Sequence, residues 1–301
     1  MSASSTPRLP SVLGIGPGRT GTTWLHRVLE GHVDLPHGVK ETLYFTTFYS
    51  KGIDWYARHF RYATGARPIV EVCPYFFDTE TIDRIKTAMP DCRFIVTLRD
   101  PVDRLYSVYK NLRYTADARR LTLDQTLSVW PTIAKGNSYA PQFLRWFDAF
   151  GRDDFLITMY DELRSEPQKY LNRVTDFIGV EQIPLSQLPQ IADDVHSFKR
   201  APKNRRLARR AQRARFWLKG HQAYGTYNLL ERMGVWRFCG GRGELYPPLT
   251  PEQDQRLRAR YLPEVEALEE LLKIDLSAWK KPRAARTIET SERRVQRLAN
   301  G

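Results

Sequence analysis

Cysteine is scarce: Cys73, Cys92 and Cys239 are the three in 301 residues, and no CxxC pair occurs. A disulfide framework and a zinc ribbon are both excluded on that count. Long apolar runs are missing too. Stretches such as 94–98 fall far short of the roughly 20 residues a membrane helix needs. Residues 1–10 are polar and lack the apolar centre of a secretory leader. A soluble, cytoplasmic chain with no signal peptide or transmembrane segment is the resulting expectation. Acidic residues are the last shortage, 34 Asp and Glu against 47 Lys and Arg, a formal charge of +13. The deficit is uneven, because 199–219 holds ten basic residues and no acidic one. Net charge therefore favours an anionic partner without locating a site for it.

Apolar residues make up 42% of the chain, enough for a large core. Short apolar runs at 11–16, 68–72, 93–98 and 154–159 predict strands. Helical spacing at 79–89, 102–114, 140–150 and 166–178 predicts helices between them, and another follows the glycine-rich turn at 16–23. Strands alternating with helices imply a three-layer α/β fold, P-loop-like, with a central parallel sheet flanked by helices. Thr250, Pro251 and Gln253 form a capping box that starts a later helix, with a bend expected at Pro263. The expected organisation is one domain over 11–279, with a basic insertion at about 199–219, between a flexible N-terminus (1–10) and a flexible charged tail (280–301).

Gly16-Pro17-Gly18-Arg19-Thr20-Gly21-Thr22-Thr23 lies between a predicted strand and helix. Backbone N–H groups in such a turn, with the helix N-terminus behind them, form an anion site. The spacing matches GxxxxGK[ST] except that Thr22 stands where the lysine belongs, which argues against an ATPase or kinase of that type. A plain strand-to-helix turn is the alternative. Farther on, Arg99 ends a strand, Pro101 begins a helix and Ser107 lies two turns inside it, so a phosphate could be gripped from two sides. A surface ion pair of Arg99 with Asp100 or Asp103 is the competing explanation.

The loop GPGRTGTTW resembles the 5′-phosphosulfate loop of the PAPS-dependent sulfotransferase family, commonly PKSGTTW. PAPS is 3′-phosphoadenosine-5′-phosphosulfate. Arg19 stands where that family usually has Lys, and some members carry Arg there. The segment LRDPVDRLYSVY is similar to the family's LRxPxxRxxSxY pattern, which binds the 3′-phosphate, so the resemblance implies that role for Arg99 and Ser107. Lys40-Glu41 with Phe45, followed by KGIDWY at 51–56, is similar to a KE-x-x-x-F element of the heparan sulfate branch and bacterial stand-alone relatives. There the glutamate is the general base, which implies Glu41 here. His37 is the competing base, with His26 and His32 nearby. Glu71–Phe76 resembles the branch's EKSxxYF segment, with Val72 in place of its lysine. Gly240–Pro247 resembles a late loop that closes over the nucleotide, implying Arg242 and Gly243 as further ligands.

The resemblance thus implies a sulfotransferase that moves a sulfuryl group from PAPS to an acceptor hydroxyl or amine, leaving 3′,5′-ADP, with no metal. Glu41 and Arg19 are its expected catalytic residues. Pro17 to Trp24 (Pro17, Gly18, Arg19, Thr20, Gly21, Thr22, Thr23, Trp24), with Arg99, Ser107, Arg242 and Gly243, are expected to bind the cofactor. Lys40, His37, Lys110 and Tyr139 are the expected acceptor-binding residues. The expected acceptor is a glycan, a glycolipid or a small molecule, with no nucleic-acid partner. The basic segment holds an anionic acceptor, lies on a membrane surface, or is simply a solvated helix or disordered insertion. A nucleotide-dependent kinase and a non-enzymatic binder of nucleic acid or membrane remain the alternatives.

Overall fold

The computed structural model describes residues 8–115, 121–135, 137–188, 205–235 and 249–282. Four parallel strands form the sheet: β1 (Val12–Gly14), β2 (Val70–Val72), β3 (Arg93–Leu98) and β4 (Phe155–Met159), in the order β2-β1-β3-β4. Each strand lies within its expected range. The two outer ends of the sequence reading, apart from residues 8–10 and 280–282, fall outside the described residues, as do 199–204 of the basic segment.

The strand order carries the functional logic. From β1 the chain moves to β2 on one side, then returns to β3 on the other. The crevice beyond the carboxyl ends of β1 and β3 is thus a topological switch point, where open α/β sheets bind ligands. Alternate residues of β3 serve opposite faces. Phe94, Val96 and Leu98 join Leu13, Ile15, Phe143, Trp146 and Leu268 in one apolar cluster. Ile95 joins Val12, Val70, Val72, Val28, Leu29 and Val174 in the other. Helices therefore cover both faces.

On one side lie α1 (Thr22–Leu29) and, after α8 (Tyr160–Ser165), α9 (Pro167–Ile178). On the other are α2 (Ile53–Ala57), α3 (Glu80–Ala88) and α7 (Tyr139–Phe150). The strand-end helix α4 (Pro101–Thr115) packs with α5 (Leu123–Val129) and α6 (Pro131–Lys135). The sequence reading did not separate α5, although Thr122 and Gln125 supply its complete capping box. Next come α10 (Arg205–Gly220) and α11 (Tyr224–Arg232), a helical hairpin in which α11 was not expected. Gly225 and two tyrosines weaken the helical propensity of α11, and packing selects it. Finally α12 (Pro251–Leu272) starts on the Thr250–Gln253 capping box, and Pro263 sits within it without ending it; α13 (Ser277–Lys280) follows.

One buried network fixes the start of α4. Asp100 Oδ1 accepts from the backbone N–H groups of Val102 (2.8 Å) and Asp103 (3.1 Å). Its Oδ2 accepts from Arg258 Nη1 at 3.0 Å, and Arg258 also grips both oxygens of Asp254. Removing one partner would leave an uncompensated buried charge, so the network specifies where α4 begins.

Candidate active site

The loop between β1 and α1 is tied to the sheet. Ile15 N–H donates to Ile95 O at 3.0 Å, and Phe76 N–H donates to Ile15 O at 3.0 Å. Gly16 has no room for a side chain, since a Cβ there would meet Thr97 N at 3.0 Å. Gly21 is required twice over: its φ is +92°, and a Cβ would lie 2.5 Å from Leu163 Cδ2. Thr20 is fully buried and donates its hydroxyl to Pro17 O at 2.7 Å, closing the loop on itself.

Two arginines hold this loop from the side of β3 and α4, and a third, within the loop, reaches back to α4. Arg104 Nε donates to Gly18 O at 3.1 Å, and Arg99 Nη1 donates to Arg19 O at 3.0 Å. Arg19 Nε donates to Ser107 Oγ at 3.0 Å. Arg19 adopts φ +79°, a left-handed conformation that non-glycine residues reach only at a cost. The contacts to its carbonyl and its side chain hold it there. Arg99 lies over the Tyr160 ring (4.4 Å), its carbonyl accepts from Tyr139 OH (2.8 Å), and its buried Nε makes no hydrogen bond with the described protein atoms. Burial, then the neighbouring Arg99, hold the Arg19 guanidinium below its usual pKa, with Arg104 adding to the repulsion. Positive charge is thus concentrated where an anion would relieve it.

A second group gathers at the other end of the loop. Lys40 Nζ donates to Thr22 Oγ1 at 3.4 Å and pairs closely with Glu41. The loop carrying them is fixed by Glu71 on β2. This fully buried carboxyl accepts from Thr42 N (2.9 Å), Thr42 Oγ1 (2.6 Å) and Tyr56 OH (2.8 Å), and burial pushes its pKa up. Glu41 and Lys40 open onto a cleft of about 790 Å³. Thr23 and His26 of α1 form one wall, and Arg215 and Lys219 of α10 form another. Burial, then Lys40, lower the His26 pKa to about 4, and its Nδ1 has no partner among the described residues. Burial also lowers the Lys219 pKa, opposed most by the charge of Glu41. Among the described residues no group of three or more His, Cys, Asp or Glu could hold a metal ion.

The sequence pattern of the sulfotransferase domain matches residues 9–214, about two-thirds of the chain. The chain belongs to the sulfotransferase domain family. Curated relatives include the bifunctional heparan sulfate N-deacetylase/N-sulfotransferase 1 of Mus musculus, 30% identical over 196 residues, covering 58% of this chain and 22% of the relative. The membrane-associated sulfotransferase kil1 of Dictyostelium discoideum is 37% identical over 106 residues, 34% of this chain and 22% of that protein. The chain thus spans about a fifth of the length of these relatives. The fold is shared with a sulfotransferase from Alicyclobacillus acidocaldarius: TM-score 0.63, 22% identity, 91% of this chain and all of that one.

Within this sulfotransferase domain, Arg19, Arg99 and Ser107 meet at one place, and Thr22, Lys40 and Glu41 meet at another beside it. Several expected site residues have other work. The Trp24 ring is buried edge-on against Tyr170, where it helps anchor α1. The Thr20 hydroxyl is occupied within the loop. Tyr139 is 2% exposed with its hydroxyl on Arg99 O and its pKa pushed up to about 12 by burial. It supports the strand end and does not border the cleft. Lys110 holds its ammonium over the Tyr106 ring (4.9 Å), away from the cleft lining, whereas His37 lines the cleft against Tyr62. Arg242 and Gly243 lie outside the described residues. Arg104, Glu71, Arg215 and Lys219 were missed as site residues. Arg104 had a signal, lying one turn before Ser107 on the same helical face. Nothing local marked Lys219, whose approach to Glu41 is a product of the fold.

Proposed function

We propose that the chain sulfates a carbohydrate or small-molecule acceptor by in-line transfer from PAPS, with the roles divided between the two ends of the β1–α1 loop. Arg99, Ser107 and the Arg19 side chain bind the 3′-phosphate. The loop amides with Thr22 and Thr23 bind the 5′-phosphosulfate. The acceptor oxygen or nitrogen attacks sulfur and gives its proton to Glu41. The bond from sulfur to the 5′-phosphate oxygen breaks, and 3′,5′-ADP leaves with the electron pair. Alignment and charge stabilisation carry such a transfer.

The sequence alone suggested Arg19 as the cation at the transferring group. Lys40 suits that role better, because its ammonium touches Thr22 while Arg19 is engaged by Ser107. Val72, where the resembling branch has a lysine, is fully buried in an apolar cluster, so no cation can reach the site from there. Lys219 stands in for it from the opposite wall. The glycan acceptor named for the heparan sulfate relatives makes an amino sugar or sugar hydroxyl the first acceptor to test.

The single observation behind this reading is the convergence of Arg19, Arg99 and Arg104 on one glycine-rich loop, next to a Lys–Glu pair that faces a cleft. Incubation with labelled PAPS and a panel of glycans, glycolipids and phenols, read by mass spectrometry, tests it. A sulfate adduct is expected. Thermal stabilisation by ATP–Mg²⁺ but not by 3′,5′-ADP would overturn it in favour of a kinase.

A further inference from the structure

The α10–α11 hairpin has two faces, and the cleft uses only one. Lys219 and Arg215 line the cleft, while Leu218 and Gly220 are buried beneath the helix. The hairpin is anchored at its turn: Gln222 Nε2 donates to Trp55 O at 2.8 Å, and Tyr224 OH pairs with His59. On the opposite face Arg210, Arg213 and Trp217 follow one another at i, i+3 and i+7, all exposed, with Phe216 beside them. On α11 and its end, Leu229, Arg232 and Met233 are exposed in the same way. Trp217 is 61% exposed, Leu229 57% and Met233 68%. Of nine large exposed apolar side chains among the described residues, four lie on this one hairpin. Helix α10 carries seven Arg or Lys and no acidic residue.

A merely solvated helix has no need to expose Trp, Phe, Leu and Met together. Nucleic acid would use the arginines and could stack on Trp217, but Leu229 and Met233 offer it nothing. A second copy of the chain would set Arg210 and Arg213 against like charges. An interfacial surface that pairs Arg with Trp, Phe and Leu fits the headgroup layer of an anionic bilayer. We propose that the outer face of the α10–α11 hairpin docks the protein on anionic lipid. This docking stands whether or not the transfer reaction proposed above is correct.

Flotation of the full chain with vesicles tests the proposal, using phosphatidylcholine alone or mixed with phosphatidylglycerol at about 3:1. Binding is expected to the mixed vesicles only, weakening at least about tenfold as salt rises from low to high. Arg210→Glu with Arg213→Glu should weaken it by about tenfold or more. Trp217→Ser with Met233→Ser, at unchanged charge, should do so to a similar extent, about tenfold. Both variants should keep the thermal shift on 3′,5′-ADP that the unaltered chain shows. If that shift is missing in the unaltered chain, the transfer proposal suffers and the docking proposal does not. Equal binding to both vesicle types would overturn the docking, as would salt-insensitive binding or full retention by either variant. So would capture of single-stranded RNA in place of vesicles, or a dimer that the variants dissolve. The unaltered chain's lipid and salt dependence decide the matter even if a variant fails to fold.

Discussion

Arg99→Met should sharply reduce discrimination between 3′,5′-ADP and 5′-AMP, weakening 3′,5′-ADP far more than 5′-AMP. Arg99 Nε is buried at the carboxyl end of β3 with no described protein partner, and Nη1 is engaged by the Arg19 carbonyl. A phosphate at this point gains one or two charge-assisted hydrogen bonds, each about 1.5–3 kcal/mol. Their loss should weaken 3′,5′-ADP by about 2–4 kcal/mol, or roughly 30- to 1,000-fold in Kd. Methionine preserves the stem that packs near Tyr160 while removing the guanidinium. The variant also loses the bond to Arg19 O, and the resulting loosening of the loop weakens both ligands alike. The ratio of the two dissociation constants, measured by calorimetry, is therefore the informative quantity. Equal losses for the two ligands, or an unchanged ratio, would refute the assignment of Arg99 to the 3′-phosphate.

Glu41→Gln should lower kcat by about 10²-fold or more while 3′,5′-ADP affinity holds, as single-turnover rates and calorimetry would show. Lys219→Met should reduce kcat/KM by about tenfold without altering donor affinity, and an unchanged kcat/KM would remove it from the site. Glu71→Ala leaves three buried donors on Thr42 and Tyr56 without their acceptor. It should cost about 3 kcal/mol in urea unfolding, with Glu71→Gln far milder. His26 and His59 both titrate near 4 when folded, chiefly through burial, against 6.5 for the free side chain. As pH falls, the unfolded chain takes up protons on these rings first, so their contribution to stability is full above pH 6.5 and declines toward pH 4. The drop in urea midpoint from pH 7 to pH 5 should shrink when both histidines are replaced by Gln, and an unchanged drop would contradict the burial of both rings.

Much of this protein was legible locally. The strands at 93–98 and 154–159 announced themselves as short apolar runs, and Gly16 and Gly21 marked a loop that only glycine can make. Thr250 and Gln253 marked a helix start that the structure reproduces bond for bond. These features depend on backbone conformation and on neighbours a few residues away, which a sequence displays directly. Tertiary structure alone decided which long side chains share a space. Arg19 turned to Ser107, 88 residues away, instead of toward the Lys40–Glu41 pair. Tyr139 was taken into the support of Arg99, and a basic segment that reads as a loose charged insertion became a wall of the cleft. No local pattern encodes such meetings, because they follow from strand order and from helices packing across the sheet. The chemistry of the loop was written in its residues, whereas the choice of cation beside the base was made by the fold.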